Sequence, residues 1–392
     1  MQNSINNYLS RYNLDIRRTH DARFMDQKVT PDVLCIVADC VVNYIGNDFK
    51  KVFTVQDIWD SEYFNKNVKI IFNKPDVKNP TAKSEYDKFI QQPLKTLSYA
   101  HILNCEKRGN INHFQVENYD LLRFISIRDR NAWIFLYEYL IRVLRDSGFL
   151  YHLEHYKKLH TEDSFSNLKN RFERFIIGNT NIKGKLEADR IFPKILNIYA
   201  AQNNLPGTVK GRMSRGPYYH SDLMYNRINW RDKKNKNITR QETELYDANL
   251  VTNNPNYDKY LIQKAKAIIR DLYRESEVRD QWANGEATQI HHIFPGKKFP
   301  ALSHYVENLI KLTPTQHFTK AHPNNTTNEI NRDYQLVCLL AKSDSIERSL
   351  KKGDFIYRKE NFIYVINMGL SVKFDFASDF KDIKSNLISC FK

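Results

Sequence analysis

Between residues 286 and 323 the chain gathers His291, His292, Asn308, His317, Lys320 and His322. Imidazole has the side-chain pKa nearest neutrality, so it can take a proton at pH 7. In its neutral form it can also ligate a cation. Water is a poor nucleophile at neutral pH and needs such a base. An asparagine, which donates and accepts without titrating, can hold backbone in place beside it. Together these residue types suit hydrolysis assisted by a divalent cation.

The elements that must position them read locally. Ile290 to Phe294 and Leu309 to Leu312 are short strand-like runs. Thr313 is placed as an N-cap, Pro314 stands at the first helical position, and Gln316 completes a capping box. His317 then lies in the first turn of a helix, which gives the order strand, loop, strand, helix. Two tensions accompany this order. Neighbours in a regular strand point to opposite faces, so His291 and His292 share a site only if the strand twists or breaks. His322 follows His317 by five residues, about 140° round an α-helix, although Pro323 is expected to end that helix. Its role stays open between metal ligand, phosphate contact and structural residue. Lys320 is a candidate phosphate contact or a solvated lysine.

Adjacent histidines closing a strand, Asn308-Leu309 opening the next, and a histidine nine residues after the asparagine resemble the His-Asn-His nucleases of the ββα-metal fold. The resemblance covers residues 286–323 of 392. It implies His291 as first metal ligand, His292 as general base, Asn308 as the residue that pins the loop and orients the base, and His317 as the ligand on the helix. It further implies phosphodiester hydrolysis with one divalent cation, leaving 5′-phosphate ends. Magnesium is the first expectation. Many relatives carry Asp where His291 stands, and the softer imidazole leaves manganese or another transition metal open. Asp379-Phe380-Lys381 and Asp76-Val77-Lys78 match the D-x-K fragment of a rival nuclease superfamily, but neither sits in a convincing acidic strand.

Around this segment the chain is long enough for two or three domains. Sixty Lys and Arg against 45 Asp and Glu give a formal charge of +15, which favours a polyanionic partner. Residues 1–155 read as mostly helical, with helices from Pro31 to Tyr44, Ser84 to Leu103 and Asn131 to Leu144. Between the last two, a hairpin over Asn104 to Val116 carries Lys107 and Arg108 at its tip. Helix plus basic hairpin is either a winged-helix DNA-recognition module or a helical scaffold with an ordinary surface hairpin. Residues 156–255 include a basic, aromatic stretch with Arg212, Arg215, Arg227 and Arg231, expected as loops or ribbons that touch DNA or as a solvated basic surface. Residues 256–392 are expected as the nuclease domain: a helix from Asp258 to Trp282, the core motif 286–323, a helix from Asn331 to Ala341, and a small β-rich tail from Phe355, Phe362 to Ile366 and Val372 to Phe376. The class is α+β.

Taken whole, with about 280 residues beyond the nuclease module to be used, the chain resembles type II restriction endonucleases that join this active site to recognition domains. That implies sequence-specific cleavage of double-stranded DNA, a cognate DNA methyltransferase as genetic partner, and a possible homodimer. A non-specific defence or toxin nuclease and an inactive DNA-binding regulator are the alternatives. No apolar run approaches a membrane helix, and Met1-Gln2-Asn3-Ser4 opens no signal peptide, so a cytoplasmic protein without membrane contact is expected. The five widely spaced cysteines suggest reduced thiols rather than a disulfide framework.

Overall fold

The computed structural model describes residues 2–72, 83–225, 255–322, 329–354 and 356–392. These are mostly helical, with three two-stranded antiparallel sheets among the described residues. Contacts divide the chain into two compact units, Met1–Asn253 and Asn254–Lys392. The described residues 156–225 thus join the helices before them. None of the described helices is long and apolar enough to cross a membrane, and the five cysteines remain thiols.

In the first unit, the helix Pro31–Ile45 is buried along nearly its whole length. Proline fits its first position because that N–H has no helical acceptor. The Thr30 hydroxyl donates to Asp32 rather than capping a backbone amide. The helices Tyr119–Ile127 and Asp129–Asp146 pack against it, the latter through Phe135, Leu136, Tyr139 and Val143. The helix Lys83–Tyr99 leads into strands β1 (Leu103–Arg108) and β2 (Ile111–Val116), whose register ends at the pair Arg108 and Ile111. A second hairpin, β3 (Pro206–Val209) and β4 (Arg212–Pro217), ends at the pair Val209 and Arg212. It accounts for residues 206–217 of the expected ribbon stretch; beyond it Tyr218 is buried, His220–Leu223 is a 3-10 helix, and the Tyr225 ring packs on Phe72 and Phe89.

The second unit opens with the helix Pro255–Leu272, which stops well short of Trp282. Continued helix would have consumed the backbone of the next segment. Instead Glu277 donates its N–H to the Lys311 carbonyl at 3.0 Å, and its carboxylate accepts from Lys311 N at 2.9 Å. Strands β5 (Gln289–His292) and β6 (Leu309–Leu312) pair His291 with Ile310 and His292 with Leu309. A helical segment follows over 314–321, then the helix Arg332–Lys352, N-capped by Asn331.

The expected β-rich tail is helical: Lys359–Leu370 and Phe380–Cys390 are α-helices. Phe362, Ile363, Val365 and Ile366 are the buried residues of the first, a helical stripe at i, i+1, i+3 and i+4. Over five residues that pattern looks like a buried strand, and β-branched composition tips the reading the wrong way. Val372 to Phe376 is a loop, held where the Asn367 amide brackets Phe374 N and O at 2.7 and 3.1 Å.

Candidate metal centre

The helix that carries His317 begins as its sequence dictates. Gln316 N donates to Thr313 Oγ1 at 3.2 Å and Thr313 N donates to Gln316 Oε1 at 3.0 Å, which is a reciprocal capping box. The Gln316 amide is fully buried, and Nε2 reaches Val278 O and Asp280 Oδ1, both at 2.9 Å. The first turn is thereby fixed to the segment that follows the helix Pro255–Leu272.

Beyond this turn the winding widens. Residues Gln316–Ala321 form a π-helical turn, and His322 N donates to His317 O at 3.0 Å, an i to i+5 bond. This corrects the α-helical placement of His322 about 140° from His317. In a π turn residues five apart stack, and such turns recur at functional sites. The ring centroids of His317 and His322 lie 4.9 Å apart, and those of His291 lie 5.3 and 4.9 Å from the two.

Each of the three rings offers one nitrogen to a common point, with the ligand atoms all within 4.8 Å of one another. Modest side-chain rotation reaches the spacing of about 3.4 Å that zinc–nitrogen bonds of about 2.1 Å and tetrahedral angles imply. His291 is 3% exposed, and its Nε2, like His317 Nδ1, is buried without a hydrogen-bond partner. Buried polar atoms are seldom orphaned unless a ligand completes them. His322 Nδ1 donates to the Glu329 carbonyl, which leaves Nε2 as the lone pair facing the cluster. Burial, and then the neighbouring histidines, push His291 well below the usual imidazole range. Burial, and then His322, push His317 down to about 4. Both rings are therefore neutral and ready to ligate at pH 7. Three nitrogen donors without a carboxylate fit a borderline transition ion better than magnesium, which prefers oxygen. The residues fit a bound metal.

His292 does not join this cluster. Its Nε2 lies 3.0 Å from Ser303 O. A carbonyl can only accept, so Nε2 carries the hydrogen and Nδ1 keeps a lone pair. Burial lowers its pKa first; the Ser303 bond opposes that shift and Lys266 adds to it. The strand stays regular, so the adjacent histidines serve different surroundings, as its period of two requires.

Asn308, fully buried, ties together the loop between β5 and β6. Its Oδ1 accepts from Phe294 N at 2.8 Å, and its Nδ2 donates to Phe294 O and Leu302 O at 3.0 and 3.1 Å. The Leu302 bond fixes the chain immediately before Ser303, whose carbonyl holds His292. Lys320 Nζ sits 4.3 Å from the centre of the Trp282 ring.

The remaining candidate contacts belong to the first unit. Lys107 and Arg108 are exposed at the end of β1, with Arg108 paired to Glu106 at 2.8 Å. Arg212 and Arg215 are exposed on β4. Arg227 and Arg231 lie outside the described residues.

Sequence reasoning missed the buried support beneath the site. Glu277 and Lys342, both with 0% side-chain exposure, form an ion pair at 2.6 Å, and Tyr357 accepts a third bond from Lys342 at 3.1 Å. Nothing local in either segment announces the partner 65 residues away. Compared with protein-family models, curated protein sequences and solved structures, the chain matches none of them.

Proposed function

We propose that the second unit is a one-metal phosphodiesterase of the His-Asn-His, ββα-metal type, and that the chain is a sequence-specific endonuclease of double-stranded DNA resembling type II restriction enzymes. The observation that carries the reading is the convergence of three imidazoles, two buried and one half-buried, on one point; at the next position of the strand a fourth keeps its unprotonated Nδ1, held by a pinned loop. The order β5, loop, β6, helix around that point adds support, as does the charge of +15.

His291, His317 and His322 hold the cation. Zinc, nickel or manganese is proposed ahead of magnesium, on the chemistry of the donors. When bound, the ion supplies Lewis acidity at a non-bridging phosphate oxygen and at the departing 3′ oxygen. His292 Nδ1 takes the proton of the attacking water. The Ser303 carbonyl, already accepting from Nε2, favours the ring as it becomes positive. Asn308 keeps that carbonyl in position, and the products carry 5′ phosphates.

The test pairs two substitutions in the full chain, with cleavage of unmethylated phage DNA and bound metal measured on each. His292→Ala lowers the cleavage rate by about 10²–10⁴-fold, the span of general-base effects, while one ion per chain remains by elemental analysis. His317→Ala loses the ion as well. Cutting by His292→Ala at the wild-type rate rejects the assignment, as does a wild-type chain that cuts with none of zinc, nickel, manganese or magnesium.

A further inference from the structure

The two hairpins of the first unit share a design at their tips. In β1–β2 the last ladder pair is Arg108 and Ile111; in β3–β4 it is Val209 and Arg212. Each tip therefore couples one arginine to one β-branched aliphatic residue directly across the strands. Both aliphatic side chains are held in solvent, Ile111 at 56% and Val209 at 40% exposure. A single exposed aliphatic residue is ordinary. The same pair, at the same register position of two separate hairpins, is a pattern that calls for a ligand with both charge and an apolar surface.

Both hairpins are also built to project rigidly. The turns are two residues long and of the types that match strand twist. Gly109 takes φ +62° at the first central position of one. Lys210 and Gly211 take φ +52° and +78° in the other. Asparagine or glycine is the usual choice where Lys210 stands, so a cation is kept there against backbone preference. The bases are fastened tightly. Phe114 exchanges backbone bonds with Phe53 at 2.7 and 2.9 Å, and both rings are fully buried. The Asn197 side chain brackets Thr208 N and O at 2.6 and 3.1 Å. At Gly207 a Cβ would fall 2.5 Å from that amide oxygen, so β3 lies too close for any other residue. From Glu106 to Ile111 and from Val209 to Arg212 every residue is exposed.

We propose that the two hairpins are prongs that bend duplex DNA, with Arg108 and Arg212 each on the sugar–phosphate backbone and Ile111 and Val209 pressed against base steps as wedges. Duplex DNA is the partner that offers both an anionic rail and a stacked apolar surface within one side chain's reach. Small aliphatic wedges beside basic residues are the means by which proteins unstack and kink it. The proposal takes its partner from the reading of the chain as a DNA enzyme, but it concerns a different unit and a different step. The excess of Lys and Arg across the chain agrees with it.

The experiment measures end-to-end energy transfer on a doubly labelled duplex of about 30 bp, bound by the full chain with its metal in a His292→Ala background so that the DNA stays intact. The chain is expected to shorten the end-to-end distance. Adding Ile111→Ser and Val209→Ser removes at least half of that change and weakens binding about tenfold, with the unfolding midpoint unchanged. Adding Arg108→Ala and Arg212→Ala lowers the salt slope of binding by about two, one for each phosphate contact. An unbent duplex, or a bend that survives the serine substitutions, overturns the proposal. So does self-association lost in the serine variant while its DNA complex is unchanged, which would make the tips protein contacts. Cleavage by the wild type without a bend rejects the prongs and spares the metal centre. A bend with no cleavage by the wild type does the reverse.

Discussion

The β5–β6 pair and the two hairpins of the first unit are the same element put to opposite uses. All three are short antiparallel ladders. In β1–β2 and β3–β4 a two-residue turn closes the ladder and leaves its end in solvent. In β5–β6 the strands are joined by residues 293–308, and every residue of β6 is buried. A tight turn is self-sufficient and can carry charge outward. A ladder closed by a long loop cannot fix its own geometry, so it must be supported from beneath and from within. The buried pair Glu277–Lys342 supplies the first support and Asn308 the second. Substitutions should therefore separate the units sharply, with large effects confined to the buried ladder.

The largest stability effect is expected at Lys342. Burial lowers its pKa, an effect countered by Glu277, and the pair is closed from solvent. Removing one partner of such a pair strands a buried charge, at a cost of about 3–5 kcal/mol. Lys342→Met should therefore loosen β6, whose Lys311 amide rests on the Glu277 carboxylate. Hydrogen exchange reads this as amides of Leu309 to Leu312 exchanging roughly a hundredfold faster or more, while those of β1 and β3 are unmoved. Adding Glu277→Leu should remove the stranded charge but restore only part of the protection, because the buried Lys311 N–H then loses its carboxylate acceptor. Slow exchange in the single variant would mean that β6 does not depend on the pair.

Asn308→Ala is next. The substitution leaves Phe294 N and Phe294 O without their partner in a buried interior, while Leu302 O keeps only its bond from Tyr305 N. At about 1–3 kcal/mol for each such group, partly relieved by relaxation, the loss is about 3 kcal/mol. The same change at Asn110, in the turn between β1 and β2, should stay within about 0.5 kcal/mol. Chemical denaturation of the full chain compares the two. Equal effects would erase the distinction between a loop held from within and a turn that holds itself.

These contrasts also explain which parts of the chain could be read from sequence. The capping box at Thr313 and Gln316, the helix opening at Pro31 and the hairpin around Gly109 are dictated by neighbours within a few residues, and each stands where local chemistry puts it. The order of His291, Asn308 and His317 is equally local. The π turn is different: whether residue 322 bonds back to 317 or 318 depends on the side chains packed around it, so His322 could be named but not placed. The tail misled because four apolar residues in five satisfy two periods at once. Glu277 and Lys342 were invisible because only tertiary structure joins them.

The smallest effect sharpens the contrast most, because it concerns function without stability. Glu106 and Arg108 pair at 2.8 Å with both side chains more than half exposed. Exposed pairs of this kind contribute little, since water and salt compete for both charges. Glu106→Gln should leave the unfolding midpoint where it was. It also removes a negative charge two residues from the tip and releases the guanidinium from a competing carboxylate. Duplex affinity should therefore rise by a few-fold, with a salt slope steeper by up to about one as Arg108 engages a phosphate. Fluorescence anisotropy over a series of salt concentrations measures both quantities. A fall in affinity would mean that Glu106 itself contacts the partner, and an unchanged slope would take Arg108 out of the interface. In either case a projecting ladder would have to be explained without the groove it is built to enter.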